Sequence, residues 1–167
     1  MGVSGAGKTT VGQALAKHLG VEFLDADEFH PPGNVAKMSA AIPLTDADRG
    51  PWLDRLHAEL SARARAGQDA VLACSALKAA YRERLMRGIE GARLVHLAGS
   101  IEYIRERMKT RKHKYMPAAL LESQFATLEP PADAITVDAA LPIDAAVASI
   151  AASLVGSPAK PGRSHRP

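Results

Sequence analysis

The chain has a single cysteine, Cys74, in 167 residues. No internal disulfide can form, which points to a reducing compartment. Its apolar runs stop short of the roughly 20 residues that a membrane-spanning helix needs. No basic-then-apolar leader opens it either. A cytoplasmic setting with no membrane partner is therefore expected. Aromatic residues are also scarce, at 4% against 47% hydrophobic in all, so the core falls to Ala, Leu, Val and Ile. Six scattered histidines beside the lone cysteine have no metal-ligand spacing, which argues against a zinc site.

Excess charge is lacking too, once its position is considered. The formal net charge is +3, yet residues 156–167 hold Lys160, Arg163 and Arg166 and no acid. Setting those three aside leaves 18 Lys and Arg against 18 Asp and Glu. This Pro/Gly/Ser-rich tail is expected to be disordered, and its charge is no argument for a nucleic-acid partner.

What is present is a regular alternation of element types. Residues 9–19 carry Val11, Ala14, Leu15 and Leu19 at helical spacing with Gly20 as the stop. Val21–Leu24 reads as a strand, followed by a loop and a short helix through Met38. Thr45-x-x-Asp48 has the form of a capping box, but Pro51 sits too deep for that turn to continue. The expectation is that Pro51 opens a separate helix bearing Trp52, Leu53, Leu56 and Leu60 to about Ala66. Further strands are expected at 70–74, 94–98 and 134–137, with helices at 78–87, from Ser100, at 118–128 and at 143–154. This order predicts a parallel sheet covered by helices on both faces. No repeat or linker divides residues 1–155.

Gly2-Val3-Ser4-Gly5-Ala6-Gly7-Lys8-Thr9 fits G-x-x-x-x-G-K-[ST] at every fixed position, with a helical pattern directly after it. Glycines let backbone N–H groups turn inward around phosphates, and the helix N-terminus adds positive potential. Lys8 would reach the β- and γ-phosphates of ATP, the Thr9 hydroxyl would ligate Mg²⁺, and Thr10 would lie by the α-phosphate. The expected fold is thus a three-layer α/β P-loop NTPase. Such folds feed a buried strand directly into the loop, and here only Met1 precedes Gly2. The first strand is expected to be missing or truncated, and a true start upstream is favoured over a version without that strand.

No base-reading Asn-Lys-x-Asp motif is present, which excludes a GTPase switch. The run ending at Ser75 lacks the acid that motor and transporter ATPases place there. Asp25 and Asp27 stand instead on one face of an extended segment. One would serve Mg²⁺ and water and the other the acceptor hydroxyl, an arrangement suited to a small-molecule kinase. Asp25 is read as the metal-side acid and Asp27 as the proton acceptor, although the two roles could be exchanged.

The chain resembles the gluconokinases through GVSGAGKTT, FLDADEFHPPGNVAKM (23–38), LTDADRGPWL (44–53), ACSALKAAYRERL (73–85), RKHKYMPAALLESQFATLE (111–129) and VDAALP (137–142). The resemblance implies ATP-dependent phosphorylation of D-gluconate to 6-phospho-D-gluconate, with Mg²⁺ accompanying ATP, and it suggests a homodimer. A related kinase acting on shikimate, another sugar acid or a nucleotide is the alternative, as is a non-catalytic nucleotide-binding protein. Arg49, Lys78 and Arg82 are candidates for the gluconate carboxylate and neighbouring hydroxyls, the last two lying four apart on one helical face. His30 would either hydrogen-bond a substrate hydroxyl or stabilise its turn. The basic stretch at 105–114 lies within a lid segment (about 105–128), where Arg107 and Arg111 would meet the transferring phosphoryl group. In one place the chain departs from the resemblance: Arg111-Lys112-His113-Lys114-Tyr115 stands where many gluconokinases have Arg-Lys-Gly-His-Phe.

Overall fold

The computed structural model describes residues 1–40, 42–110 and 118–156. In chain order its elements are α1 (Lys8–Leu19), β1 (Glu22–Asp25), a 3-10 turn (Ala26–Phe29), α2 (Pro32–Ser39), α3 (Asp46–Arg65), β2 (Ala70–Ala73), α4 (Ala79–Met86), β3 (Val95–Ala98), α5 (Ile101–Thr110), α6 (Ala118–Thr127), β4 (Ile135–Asp138) and α7 (Ile143–Gly156). Among the described residues no helix is long and apolar enough to cross a membrane. Arg105, Arg107 and Lys109 lie on α5. Arg111 and the rest of 111–117 lie outside the described residues, as does the tail from residue 157 onward.

Pairing is parallel throughout, as strands separated by helices require. β1 pairs with β2, Leu24 opposite Leu72, and β3 with β4, Leu97 opposite Val137. Among the described residues no strand joins the two pairs. A cleft of about 660 Å³ runs beside them, with Val11, Leu15, Val71 and Val95 in its lining. The backbone of Met1 and Gly2 bridges the two pairs. Met1 N donates to Val95 O at 2.5 Å, Leu97 N to Met1 O at 3.0 Å, and Gly2 N to Ser75 O at 3.2 Å. The single sheet expected from the sequence is thus seen as two halves tied by two residues.

Burial organises the helices around two cores. The first gathers Val11 and Leu15 of α1, Leu97, Ile104, Leu121, Val137 and Ile150 of α7. The second sets Trp52, Leu53 and Leu56 of α3 against Tyr81 and Leu85 of α4, with Cys74 beside them. Each large aliphatic side chain so buried contributes about 1.5–3 kcal/mol.

One expectation about α3 is corrected. The capping box at Thr45 does form: Thr45 Oγ1 accepts from Asp48 N at 3.2 Å, and Asp48 Oδ2 accepts from Thr45 N at 2.8 Å. The helix then runs on through Pro51 to Arg65. Proline costs the helix one backbone donor and crowds the preceding turn. Burial of Trp52, Leu53 and Leu56 immediately beyond it, together with the reciprocal cap, outweighs that loss. At α5 the expected cap is present, with Ser100 Oγ accepting from Tyr103 N at 3.1 Å.

Cys74 is 5% exposed. Burial pushes its thiol up to about 11. At neutral pH the reactive thiolate is then on the order of one part in 10⁴. Native protein treated with iodoacetamide at neutral pH should stay unmodified by mass spectrometry, whereas denatured protein should gain one adduct. Rapid labelling of the native form would contradict this burial.

Candidate active site

The phosphate loop closes directly onto α1. Gly7 has φ 95° and ψ 18°, a left-handed conformation at the helix N-cap that side chains disfavour. A Cβ there would also come 2.9 Å from Arg107 Nη2, so the bare backbone makes room for that guanidinium. Arg107 Nη1 donates to Ala139 O at 2.9 Å, which fixes the arginine between α5, the loop after β4 and the phosphate loop. Val3 and Ala6 bury their side chains in the first core, and Ser4 and Gly5 complete the turn between them. Thr10 follows half-buried on α1.

Lys8 Nζ donates to Val3 O at 3.0 Å. Burial lowers its pKa from the ordinary lysine value, and the charges of Asp27, Cys74 and Asp25, in that order, oppose the shift. The two aspartates therefore act on the lysine from across the loop. Thr9 Oγ1 donates to Asp25 Oδ2 at 3.1 Å, and Asp25 Oδ1 accepts from Asp27 N at 3.1 Å. Asp25 is so held between the phosphate loop and the 3-10 turn, and the Asp27 carboxylate is 87% exposed. The hydroxyl and carboxylate oxygens at Thr9 and Asp25 are hard donors. They fit a magnesium ion, which takes one or two protein ligands and fills its shell with water and phosphate oxygens.

Asp46 is the hub of a second polar cluster. Lys78 Nζ donates to Asp46 Oδ1 at 3.0 Å and to Oδ2 at 2.8 Å, and the Tyr81 hydroxyl donates to the same carboxylate. The Lys78 and Tyr81 bonds hold the Asp46 carboxyl below its ordinary pKa. Arg49 Nη1 stands 3.9 Å from Asp46 and donates to Leu44 O at 2.5 Å, and its guanidinium carbon lies 5.8 Å from the Tyr81 ring centre.

Arg82 does not join this group. The sequence spacing puts Lys78 and Arg82 on one helical face, but Lys78 is the N-cap of α4, with extended backbone at φ −88° and ψ 147°. Its side chain leaves toward Asp46, while Arg82, at 7% exposure, turns inward. Arg82 Nη1 donates to Ala76 O at 3.1 Å and Leu77 O at 2.9 Å. These bonds brace a loop in which Ala76 takes φ 40°, a conformation uncommon for a non-glycine residue.

His30 stacks on Trp52, ring centres 4.3 Å apart and planes 13° from parallel. Trp52 Nε1 in turn donates to Ala26 O at 2.8 Å. Burial lowers the His30 pKa, with Asp27 opposing the shift and Arg49 adding to it.

Gln124 escaped the sequence reading. From α6 its Oε1 accepts from Ser4 N at 2.7 Å, and its Nε2 donates to Ser4 Oγ at 3.1 Å. The only sequence signal was its place inside the 111–129 motif. Asp46, Tyr81 and Asn34 also lay within quoted motifs without a role. Each of the two Gln124 bonds is worth about 1 kcal/mol. Gln124→Ala is therefore expected to raise KM for ATP by up to about 30-fold, read by steady-state kinetics, with acceptor KM little changed. An unchanged ATP KM would remove Gln124 from the phosphate-loop support.

A glycine-rich loop at the start of a helix, with paired aspartates beside it on a parallel α/β frame, defines a P-loop kinase of the small-molecule class. The frame recurs in shikimate kinase from Bacteroides thetaiotaomicron, with a TM-score of 0.60 over 93% of this chain and 96% of that one. At 19% identity that is a likeness of fold alone. Residues 1–131 match the family described as AAA domain. Gluconokinase of Gluconobacter oxydans (strain 621H) is 51% identical over 133 residues, 80% of this chain and 75% of that protein. The crystal structure of a gluconokinase from Sinorhizobium meliloti 1021 has a TM-score of 0.85 at 42% identity, covering 93% of this chain and 89% of that one. The chain belongs to the gluconokinase family.

Proposed function

We propose that this protein transfers the γ-phosphoryl group of ATP to D-gluconate, giving ADP and 6-phospho-D-gluconate. The observation that carries the reading is the convergence of Lys8, Thr9, Asp25 and Asp27 at the mouth of the phosphate loop. The loop amides and Lys8 grip the triphosphate. Asp27, exposed and joined to Asp25 through its own backbone, accepts the proton of the attacking hydroxyl as the phosphorus–oxygen bond to ADP breaks. Thr9 and Asp25 would hold a magnesium ion, whose charge neutralises the β- and γ-phosphate oxygens.

Lys78 and Arg49 receive the gluconate carboxylate. In the structure Asp46 is paired with Lys78 and lies near Arg49, so a substrate carboxylate would share or displace that anion. Arg82 supports Lys78 indirectly, through the carbonyls of Ala76 and Leu77. Arg107 lies beside the loop and meets the transferring group, with Arg111 assigned the same task from the lid. Transfer is in-line and dominated by positioning and charge neutralisation. A cytoplasmic setting suits ATP as co-substrate and a buried free thiol; a homodimer is part of the same reading.

A coupled ADP-release assay with gluconate, shikimate, a second sugar acid and a nucleoside monophosphate tests the acceptor. Turnover strongest with gluconate is the expected result. Turnover confined to another acceptor, or ADP release that ignores the acceptor, would replace this reading.

A further inference from the structure

Asn34 of α2 is 5% exposed, although it is polar and its role lies outside the chemistry described above. Its Nδ2 donates to Asp48 O at 2.9 Å. A carbonyl oxygen only accepts, so the atom facing it must be the amide nitrogen. The same Nδ2 stands 3.3 Å from His30 Nδ1. A donor on that side requires the imidazole Nδ1 to be the acceptor, which leaves the ring proton on Nε2. His30 Nε2 is the nitrogen nearest Asp27, at 4.0 Å from Oδ1.

The rest of the surroundings holds the ring in that pose. Trp52 covers one face of His30 and is itself tied to Ala26 O, one residue before Asp27. Asp48, whose carbonyl fixes Asn34, is locked by the Thr45 capping box and by Lys37 Nζ at 2.6 Å. The His30 side chain is 5% exposed, so little solvent is at hand to satisfy the wrong tautomer.

We infer that Asn34 is a positioning residue: by donating to His30 Nδ1 it keeps the ring proton on Nε2, so that His30 presents a donor toward Asp27 and the acceptor hydroxyl. The consequence is a division of labour. An unprotonated Nε2 would be a second base competing for the hydroxyl proton, whereas an Nε2–H leaves Asp27 as the acceptor and turns a donor toward the space beside its carboxylate. The kinetic arm of this inference rests on the gluconokinase reading; the tautomer arm does not.

The test is a ¹⁵N-resolved NMR spectrum of the histidine side chains in the full chain, with His30 assigned by its loss in His30→Gln. The unaltered protein should show the Nε2–H tautomer for His30. In Asn34→Asp, a carboxylate replaces the donor and should draw the proton to Nδ1. In that variant kcat with gluconate should fall at least tenfold while KM for ATP stays within twofold. Asn34→Ala, which removes the donor without adding an acceptor, should give a mixture of tautomers and guards against poor folding of the first variant. An Nδ1–H signal in the unaltered protein overturns the inference without any variant. Retention of Nε2–H or of full kcat in Asn34→Asp overturns it as well. Absence of gluconate turnover in the unaltered protein would instead remove the proposed function and leave the tautomer result to be read by itself.

Discussion

Lys8→Ala is expected to lower kcat for gluconate phosphorylation by on the order of 10³-fold or more. The size of the effect follows from where the ammonium sits. Lys8 Nζ is held against Val3 O inside the loop, and its lowered pKa reports a site that solvent screens poorly. A charge in such surroundings acts more strongly on developing phosphate charge than one in water would. Among the described residues the Lys8 Nζ bond runs to a backbone carbonyl rather than to a side chain. The variant should therefore fold, with a melting temperature close to that of the unaltered chain. ADP-release kinetics, thermal unfolding and ATP titration together make the test. Activity within tenfold of normal would mean that the loop does not work through its lysine.

Asp27→Asn is expected to reduce kcat by about 10²- to 10⁴-fold, the range for a positioned general base. ATP affinity should hardly move, because the Asp27 carboxylate is 87% exposed and the structural bond it shares with Asp25 comes from its backbone. That split distinguishes it from Asp25→Asn, which disturbs the carboxylate bonded to Thr9 and should weaken magnesium-dependent ATP binding as well. The measurement is kcat alongside nucleotide affinity for both variants. If Asp27→Asn kept full turnover, the proton must leave by another route, and the exchanged assignment of the two aspartates would be the first to examine.

Much of the phosphate loop and its surroundings is legible in the sequence, for identifiable reasons. The phosphate loop has fixed spacing over eight residues and is followed by a helix, so its pattern carries its own geometry. Spacing alone puts Asp25 and Asp27 on one face of an extended segment, but the strand ends at Asp25 and Asp27 lies in the 3-10 turn. It is the turn's cap, with Asp27 N donating to Asp25 Oδ1, that keeps the two close. Local rules failed where distant packing decided the matter. Pro51 argued for two helices, and burial of Trp52, Leu53 and Leu56 made one. The i, i+4 spacing of Lys78 and Arg82 holds only inside a helix, and Lys78 is the residue before it. The bonds from Gln124 to Ser4 span 120 residues, beyond the reach of any periodicity. Asn34 bonds two groups that approach only once α2 and α3 have docked.

The bridging backbone of Met1 and Gly2 has a mechanical consequence. Gly2 opens the phosphate loop, and the same two residues hold Val95 and Leu97 on one side and Ser75 on the other. The first residue of the nucleotide grip is thus also a junction between the strand pairs. Substitutions that shift Ser75 are therefore expected to register in ATP affinity although they touch no phosphate, because Ser75 O accepts from the N–H of the loop's first glycine.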